Sequence, residues 1–298
     1  MLEFVANLME VSVDAGDWAH QREAEGWPVL AASDHFWSGD RAFPHLWVTL
    51  THMACRTSTA TLTSSFANNL LRSPVEFAQA SLLLQRVSGG RFEAGLGAGW
   101  SEAEITGSGL RYPPSAERAG RLREAVTIVR ELLVNGHCRF AGEYYDVDVP
   151  VIGPFGGPVL RPPLVASLGG PRTIREVAPL VDRVEIKPNS PATRDGRLDF
   201  RALAAIPHQH LLDLIDAVRK VRPDVPLGLF VLCSTGTDDR TRSLESMMGD
   251  GLFSGFFGSA GKVAESIRGL EALGISRVQI SPLSGDSFDE LAPLLLAP

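Results

Sequence analysis

Short apolar runs alternate along this chain with longer segments whose apolar residues recur every three or four positions. Leu2–Leu8, Pro28–Ala32, Thr59–Phe66, Phe92–Gly97, Leu164–Ser167, Arg183–Ile186, Leu227–Leu232 and Arg277–Ile280 are too short for helices and read as strands. Between them, Asp17 is placed to cap a helix that runs to about Glu25 and stops at Gly26. Phe43, Leu46, Trp47, Leu50, Met53 and Ala54 fall on one helical face, and so do Phe77, Ala80, Ser81, Leu84 and Val87 after Pro74. Leu122, Val126, Val129 and Leu133 stripe a long helix from Ser115 to Val134. Further helices are expected at Thr173–Leu180, His208–Val221, Thr241–Met248, Gly261–Leu273 and Phe288–Leu295, with Asp195–Ile206 a surface loop containing some helix.

Strands that alternate with helices imply a parallel sheet covered on both faces. Eight such units point to a closed (β/α)8 TIM barrel, with an open doubly wound sheet as the competing arrangement. Asn135–Pro163 breaks the rhythm with many Gly and Pro residues and short alternating pieces, which suits an excursion carrying a hairpin. The expected organisation is a single domain over residues 1–298 with an insertion at about 135–163.

Composition narrows the class. Hydrophobic residues make up 44% and charged residues 21%, the balance of a globular chain with a sizeable core. A net charge of −7 without any basic run argues against nucleic acid as a partner. No apolar stretch reaches the ~18 residues that span a bilayer, and Met1–Val13 has no Lys or Arg to start a secretory signal. Cys55, Cys138 and Cys233 are odd in number and far apart, fitting reduced thiols in a cytoplasm better than a disulfide framework. No pair of histidines has helical metal-ligand spacing, so no metal is expected.

In a barrel the active site lies at the carboxyl ends of the strands. Asp34-His35 follows strand two, Ser64-Ser65-Phe66 and Asn68 follow strand three, and Gly97-Ala98-Gly99-Trp100 follows strand four, with Glu102 or Glu104 beyond. Gly169-Gly170-Pro171-Arg172-Thr173 follows strand five and Lys187 follows strand six. His35 is the best candidate for proton transfer, since imidazole changes charge near neutral pH, and Asp34 is placed to orient it. Gly169-Gly170 before a helix suits either an anion, with Arg172 and Thr173 as added donors, or a plain glycine turn. Lys187 fits an anion contact or pairing with an acid. Gly95, Gly97 and Gly99 do not make a dinucleotide fingerprint, because Trp100 stands where its last glycine belongs. A phosphate loop and a nucleophile elbow are both missing from the sequence.

Taken together, Arg72-Ser73-Pro74, the run Ser88 to Trp100, Ser33-Asp34-His35-Phe36, Leu168-Gly169-Gly170-Pro171 and the segment Gly258–Val278 resemble the bacterial luciferase-like oxidoreductases, most of all their coenzyme F420-dependent branch. The resemblance implies a dimeric TIM barrel with a deazaflavin, or alternatively FMN, at the carboxyl ends of the strands, and a small-molecule substrate. It implies an acid/base role for His35 with Asp34 in support. It also implies a cofactor site formed by Ser64, Ser65, Phe66, Asn68, Gly97, Ala98, Gly99, Trp100, Gly169, Gly170, Pro171, Arg172 and Thr173. Ser65-Phe66 aligns with a dipeptide often joined by a cis bond, and Gly169, Gly170 and Thr173 with the holders of the cofactor phosphate. The insertion matches one that the family carries between strands four and five. Sugar-phosphate dehydrogenases of the branch have a Glu where this chain has Trp100 and a Trp where it has Gly39, with Trp37 shifted, which argues against glucose-6-phosphate oxidation. An FMN-dependent monooxygenase and a non-catalytic ligand-binding relative are the competing readings.

Overall fold

The computed structural model describes residues 2–10, 12–39, 41–153, 160–193, 196–284 and 287–297. Eight strands carry the architecture: β1 (Glu3–Leu8), β2 (Val29–Ala32), β3 (Thr61–Ser64), β4 (Phe92–Gly97), β5 (Leu164–Leu168), β6 (Arg183–Ile186), β7 (Leu227–Thr235) and β8 (Arg277–Pro282). Each is parallel to the next in that order, with Leu164 of β5 beside Ala94 of β4. The last strand pairs with the first, Arg277 beside Glu3, so the sheet closes and the open arrangement is ruled out.

The helices follow the sequence pattern with local shifts. Helix α1 (Ala15–Ala24) is capped by Asp14, whose carboxylate accepts from the Asp17 amide at 2.9 Å, so Asp17 lies in the first turn and is not the cap. Helix α2 (Leu46–Arg56) begins after Pro44, which leaves Phe43 in the preceding loop. The third strand is shorter than its β-branched run. The amides of Thr59 and Ala60 donate to the Glu23 carboxylate at 2.7 and 2.8 Å, outside the ladder. Helix α3 (Pro74–Val87) is capped by Ser73. A short α4 (Glu102–Gly107) precedes α5 (Ser115–Asn135), which ends on Gly136 at φ 72°. The excursion holds the antiparallel hairpin Cys138–Ala141 with Asp146–Val149, and its residues 154–159 lie outside the described ones. Helix α6 (Pro171–Val177) starts two residues before Thr173. After it come α7 (Phe200–Ala204), α8 (His208–Val221), α9 (Asp239–Met248), α10 (Ala260–Gly269) and α11 (Ser287–Leu295). Within the segment expected as loop with some helix, α7 is the helix, and residues 194–195 are outside the described ones. No helix among the described residues is long and apolar enough to cross a membrane.

Alternation along the strands sends one set of side chains to the helices and the other into the barrel. Leu30, Leu62, Leu96, Val184 and Ile280 join the main core, whereas Val5, Val29 and Ala31 form a small separate cluster. Charged side chains share the barrel interior with them. Arg277 donates to Glu3 at 2.5 Å and to both oxygens of Glu93. Glu185, buried nearby, has an Oε1 without a partner, and a Cβ on Gly228 would fall 1.8 Å from its Oε2. Burial pushes the Glu185 carboxyl up to about 8, against the pull of Arg277 and Arg183. The folded protein therefore keeps a proton that the unfolded chain releases. Glu185 costs nothing below about pH 4.5, and its cost grows until the folded form titrates near 8. Glu185→Gln should match the parent near pH 5 and exceed it by on the order of 2–4 kcal/mol near pH 8.5. Thermal melts across that range check this; a difference between the two proteins that does not change with pH contradicts it.

Candidate active site

The carboxyl ends of the strands surround a cavity of about 700 Å³. Asp34, His35, Ser65, Phe66, Asn68, the run Gly97 to Trp100 and the run Gly169 to Thr173 all line it, together with Lys187. Ser64 alone of the expected set does not. Its hydroxyl accepts from the Gly95 amide at 2.9 Å and donates to the Gly95 carbonyl at 2.7 Å, tying β3 to β4.

His35 follows β2, and its Nδ1 lies 2.9 Å from Oε2 of Glu104 on α4. The other Glu104 oxygen accepts the Phe36 amide at 2.5 Å, and the carboxylate is fully buried. A carboxylate only accepts, so the geometry assigns the ring proton to Nδ1 and leaves Nε2 with a free lone pair. Nε2 has no hydrogen-bond partner among the described residues, and the ring lines the cavity. Phe43 and Trp100 pack edge-on against the imidazole, with centroids 5.4 and 5.8 Å away. Fixed in this way, His35 can take a proton from a ligand hydroxyl.

Asp34 does not orient His35. Its carboxylate meets Arg72 in a fork, Nη2 to Oδ1 at 2.8 Å and Nε to Oδ2 at 3.2 Å, and also accepts the Asn68 amide at 2.8 Å. The sequence offered Glu102 or Glu104 without choosing between them. Glu104 is the one buried in α4, whereas Glu102 is exposed.

The peptide bond Ser65–Phe66 is cis. The chain beyond it returns to β4, where Ala67 and Asn68 pair with Leu96 and Gly97. The strand-four glycines make room for this return. A Cβ on Gly95 would lie 2.1 Å from the Ser64 carbonyl oxygen, and one on Gly97 3.2 Å from Phe66 Cβ. Gly99 has φ +78°, and a Cβ there would meet Asn68 Oδ1 at 2.3 Å.

Across the cavity, Gly169 packs against the Lys187 carbonyl, which a Cβ would approach to 2.6 Å. A Cβ on Gly170 would meet only the Thr173 hydroxyl, at 3.9 Å, and the Gly170 carbonyl accepts from that hydroxyl at 2.9 Å. Arg172 is a weaker anion ligand than its position suggested, because its guanidinium already meets Glu176 at 3.2 Å and the Ala116 carbonyl at 3.1 Å. Lys187 points to Trp100 and has no ion pair among the described residues. Arg118 on α5, unremarked in the sequence, also lines the cavity.

A family model described as luciferase-like monooxygenase matches residues 14–206. The F420-dependent glucose-6-phosphate dehydrogenase of Kineococcus radiotolerans is 34% identical over 159 residues, 52% of this chain and 46% of that protein. Its counterpart from Amycolatopsis mediterranei is 33% identical over 53% of this chain and 48% of its own length. The chain thus spans about half the length of the curated relatives it matches. Among solved structures, an F420-dependent secondary alcohol dehydrogenase in complex with an F420–acetone adduct superimposes with a TM-score of 0.74 at 16% identity, covering 99% of both chains. A monooxygenase from Streptomyces bottropensis does so at 0.74 with 15% identity, over 99% of this chain and 97% of its own. At those identities the two structures speak for the barrel fold alone. The family model covers most of the chain and the fold agrees with it throughout: this protein belongs to the luciferase-like monooxygenase family.

Proposed function

We propose that this protein is a coenzyme F420-dependent oxidoreductase that exchanges a hydride with a small organic substrate. The observation that carries the reading is His35, held by Glu104 with its free nitrogen at a roomy cavity, in a chain whose curated relatives are F420-dependent dehydrogenases. The residues present suit a deazaflavin. Gly170 leaves an open cradle at the start of α6, and Asn7 and Asn189 on the cavity wall each have a buried Oδ1 without a partner. In this reading Phe66, Gly97, Ala98 and Gly99 border the ring, and Gly169, Gly170 and Thr173 hold the phosphate. The coenzyme, when bound, accepts or supplies the hydride. In the direction of alcohol oxidation, His35 Nε2 would take the proton of the substrate hydroxyl.

Trp100 in place of the carboxylate expected of sugar-phosphate dehydrogenases supports a substrate other than glucose 6-phosphate. A cytoplasmic homodimer is part of the same reading and rests on the family likeness. Titration of the purified protein with F420 and with FMN tests the function. Micromolar binding of F420, with FMN at least tenfold weaker, is expected. Binding of neither sinks the proposal, and preference for FMN with oxygen uptake replaces it with a monooxygenase.

A further inference from the structure

Glu104 holds His35 only as firmly as α4 is itself held, and a six-residue helix has too few internal hydrogen bonds to fix its own place. Its N-cap, Ser101, makes no side-chain hydrogen bond to the first turn. The amide of Glu102, which no residue of α4 can accept, donates to the Gly196 carbonyl at 3.0 Å. Gly196 belongs to the connection between β6 and α7, which also lines the cavity with Ser190, Thr193 and Leu198. Its φ is +76°, and a Cβ there would fall 2.4 Å from Glu102 Cβ and 3.1 Å from the Glu102 nitrogen. At the other end of α4, a Cβ on Gly107 would come within 2.8 Å of Cζ2 of Trp37, two residues beyond His35. Gly107 is not among the glycines with positive φ, so the indole and not the backbone requires glycine there. The two glycines close α4 between the connection after β6 and the chain that follows His35.

We infer that Gly196 and Gly107 are positioning residues, which seat α4 so that Glu104 reaches His35 Nδ1 and the Phe36 amide together. This deepens the oxidoreductase reading and rests on it for the reaction that His35 serves. The Glu104 carboxylate is fully buried and meets its two donors at 2.9 and 2.5 Å. A shift of α4 by about one ångström takes the longer contact out of hydrogen-bond range. The imidazole then loses the acceptor that keeps its proton on Nδ1 and divides between two tautomers, only one of which offers a lone pair to the cavity. Neither glycine lines the cavity, so their effect on the base passes through Glu104. Because Gly196 sits in a connection that does line it, one piece of chain sets both the cavity wall and the carboxylate.

Nitrogen-15 shifts of the His35 ring test this in the Gly196→Ala, Gly107→Ala and Gly89→Ala proteins, alongside F420 titrations. Gly89 is the control. Its φ is +68° and a Cβ there has nothing within 4 Å, so alanine brings the backbone strain without the clash. The parent and Gly89→Ala are expected to keep the proton on Nδ1. Gly196→Ala and Gly107→Ala should each show both tautomers, with F420 affinity within about threefold of the parent. Adding Glu102→Gly to Gly196→Ala removes the Cβ that the new methyl meets and should return the proton to Nδ1. Gly107→Ala puts a better helix former at a helical position, so it decides the matter even where Gly196→Ala does not fold. An Nδ1 proton retained in Gly107→Ala and in any folded Gly196→Ala overturns the inference. The same mixture of tautomers in Gly89→Ala, or a double variant no closer to the parent than Gly196→Ala, also overturns it. Failure of F420 to bind the parent refutes the oxidoreductase reading separately, while the ring shifts, read without cofactor, still decide how α4 is seated.

Discussion

Glu104→Gln is expected to remove most of the activity while leaving the fold and the cofactor affinity almost unchanged. The carboxylate accepts two protons' worth of hydrogen bonding, from His35 Nδ1 at 2.9 Å and from the Phe36 amide at 2.5 Å. An amide of the same shape keeps one of these contacts and inverts the other. Its oxygen can still accept from Phe36, and its NH2 then faces Nδ1 as a donor. The neutral imidazole must move its proton to Nε2, and the lone pair that faced the cavity disappears. The base is in place but in the wrong tautomer. Where a carboxylate-to-amide change has this effect on a catalytic histidine elsewhere, kcat falls by about 10⁴. Here His35 has no nucleophile to activate, so roughly 10² to 10⁴ is expected, with KM little affected. Nitrogen-15 shifts of the His35 ring read the tautomer directly and need no substrate. Finding Nδ1 still protonated in the variant, or full activity in it, would falsify this role for Glu104.

The contrast between Asp34 and Glu104 shows which parts of the site were legible in the sequence. Residues that follow a strand directly could be placed at the mouth of the barrel from the pattern alone, and His35, Trp100, Gly169 and Lys187 are all there. Partnerships across the mouth could not. Chain adjacency favoured Asp34 as the partner of His35, yet neighbouring side chains after a strand diverge. Asp34 turns to Arg72, 38 residues away, and His35 to Glu104, 69 residues away. Only the closed barrel brings those loops together. The glycines of β4 give a second case. Their alternation marked a close approach, which suggested a ligand. The structure fills that space at Gly95 and Gly97 with the Ser64 carbonyl and Phe66, so part of the glycine pattern serves the fold of the site itself. Arg118 escaped notice because an arginine in the first turn of a long helix is ordinarily solvated. Its burial goes with the first turns of α5, where Ser115, Ala116, Arg118, Ala119 and Leu122 line the cavity.

The Asp34–Arg72 pair carries the largest expected effect on stability. Side-chain exposure is 1% for Asp34 and 10% for Arg72, so solvent does little to screen or replace either partner. Arg72 gives Asp34 two of its three charge-assisted hydrogen bonds, the third coming from the Asn68 amide. Arg72 also donates to His45 Nε2 at 3.0 Å, and that contact reaches the start of α2. Arg72→Met keeps much of the stem's volume and deletes the fork, leaving a buried carboxylate with one donor. Removing one partner of a buried pair costs about 3–5 kcal/mol, which for a chain of this length lowers Tm by roughly 5–8 °C. Adding Asp34→Asn removes the stranded charge, and Asn Oδ1 still accepts the Asn68 amide, so the double variant should regain at least about half of the loss. Asp34 immediately precedes His35 and fixes the backbone at Asn68, so the single variant also loosens the wall formed by Ser65, Phe66 and Asn68. F420 affinity is expected to fall with stability and to return with it in the double variant. Melts and F420 titrations on the two proteins check both halves. A single variant as stable as the parent, or a double variant no better than the single, would show that the fork is dispensable.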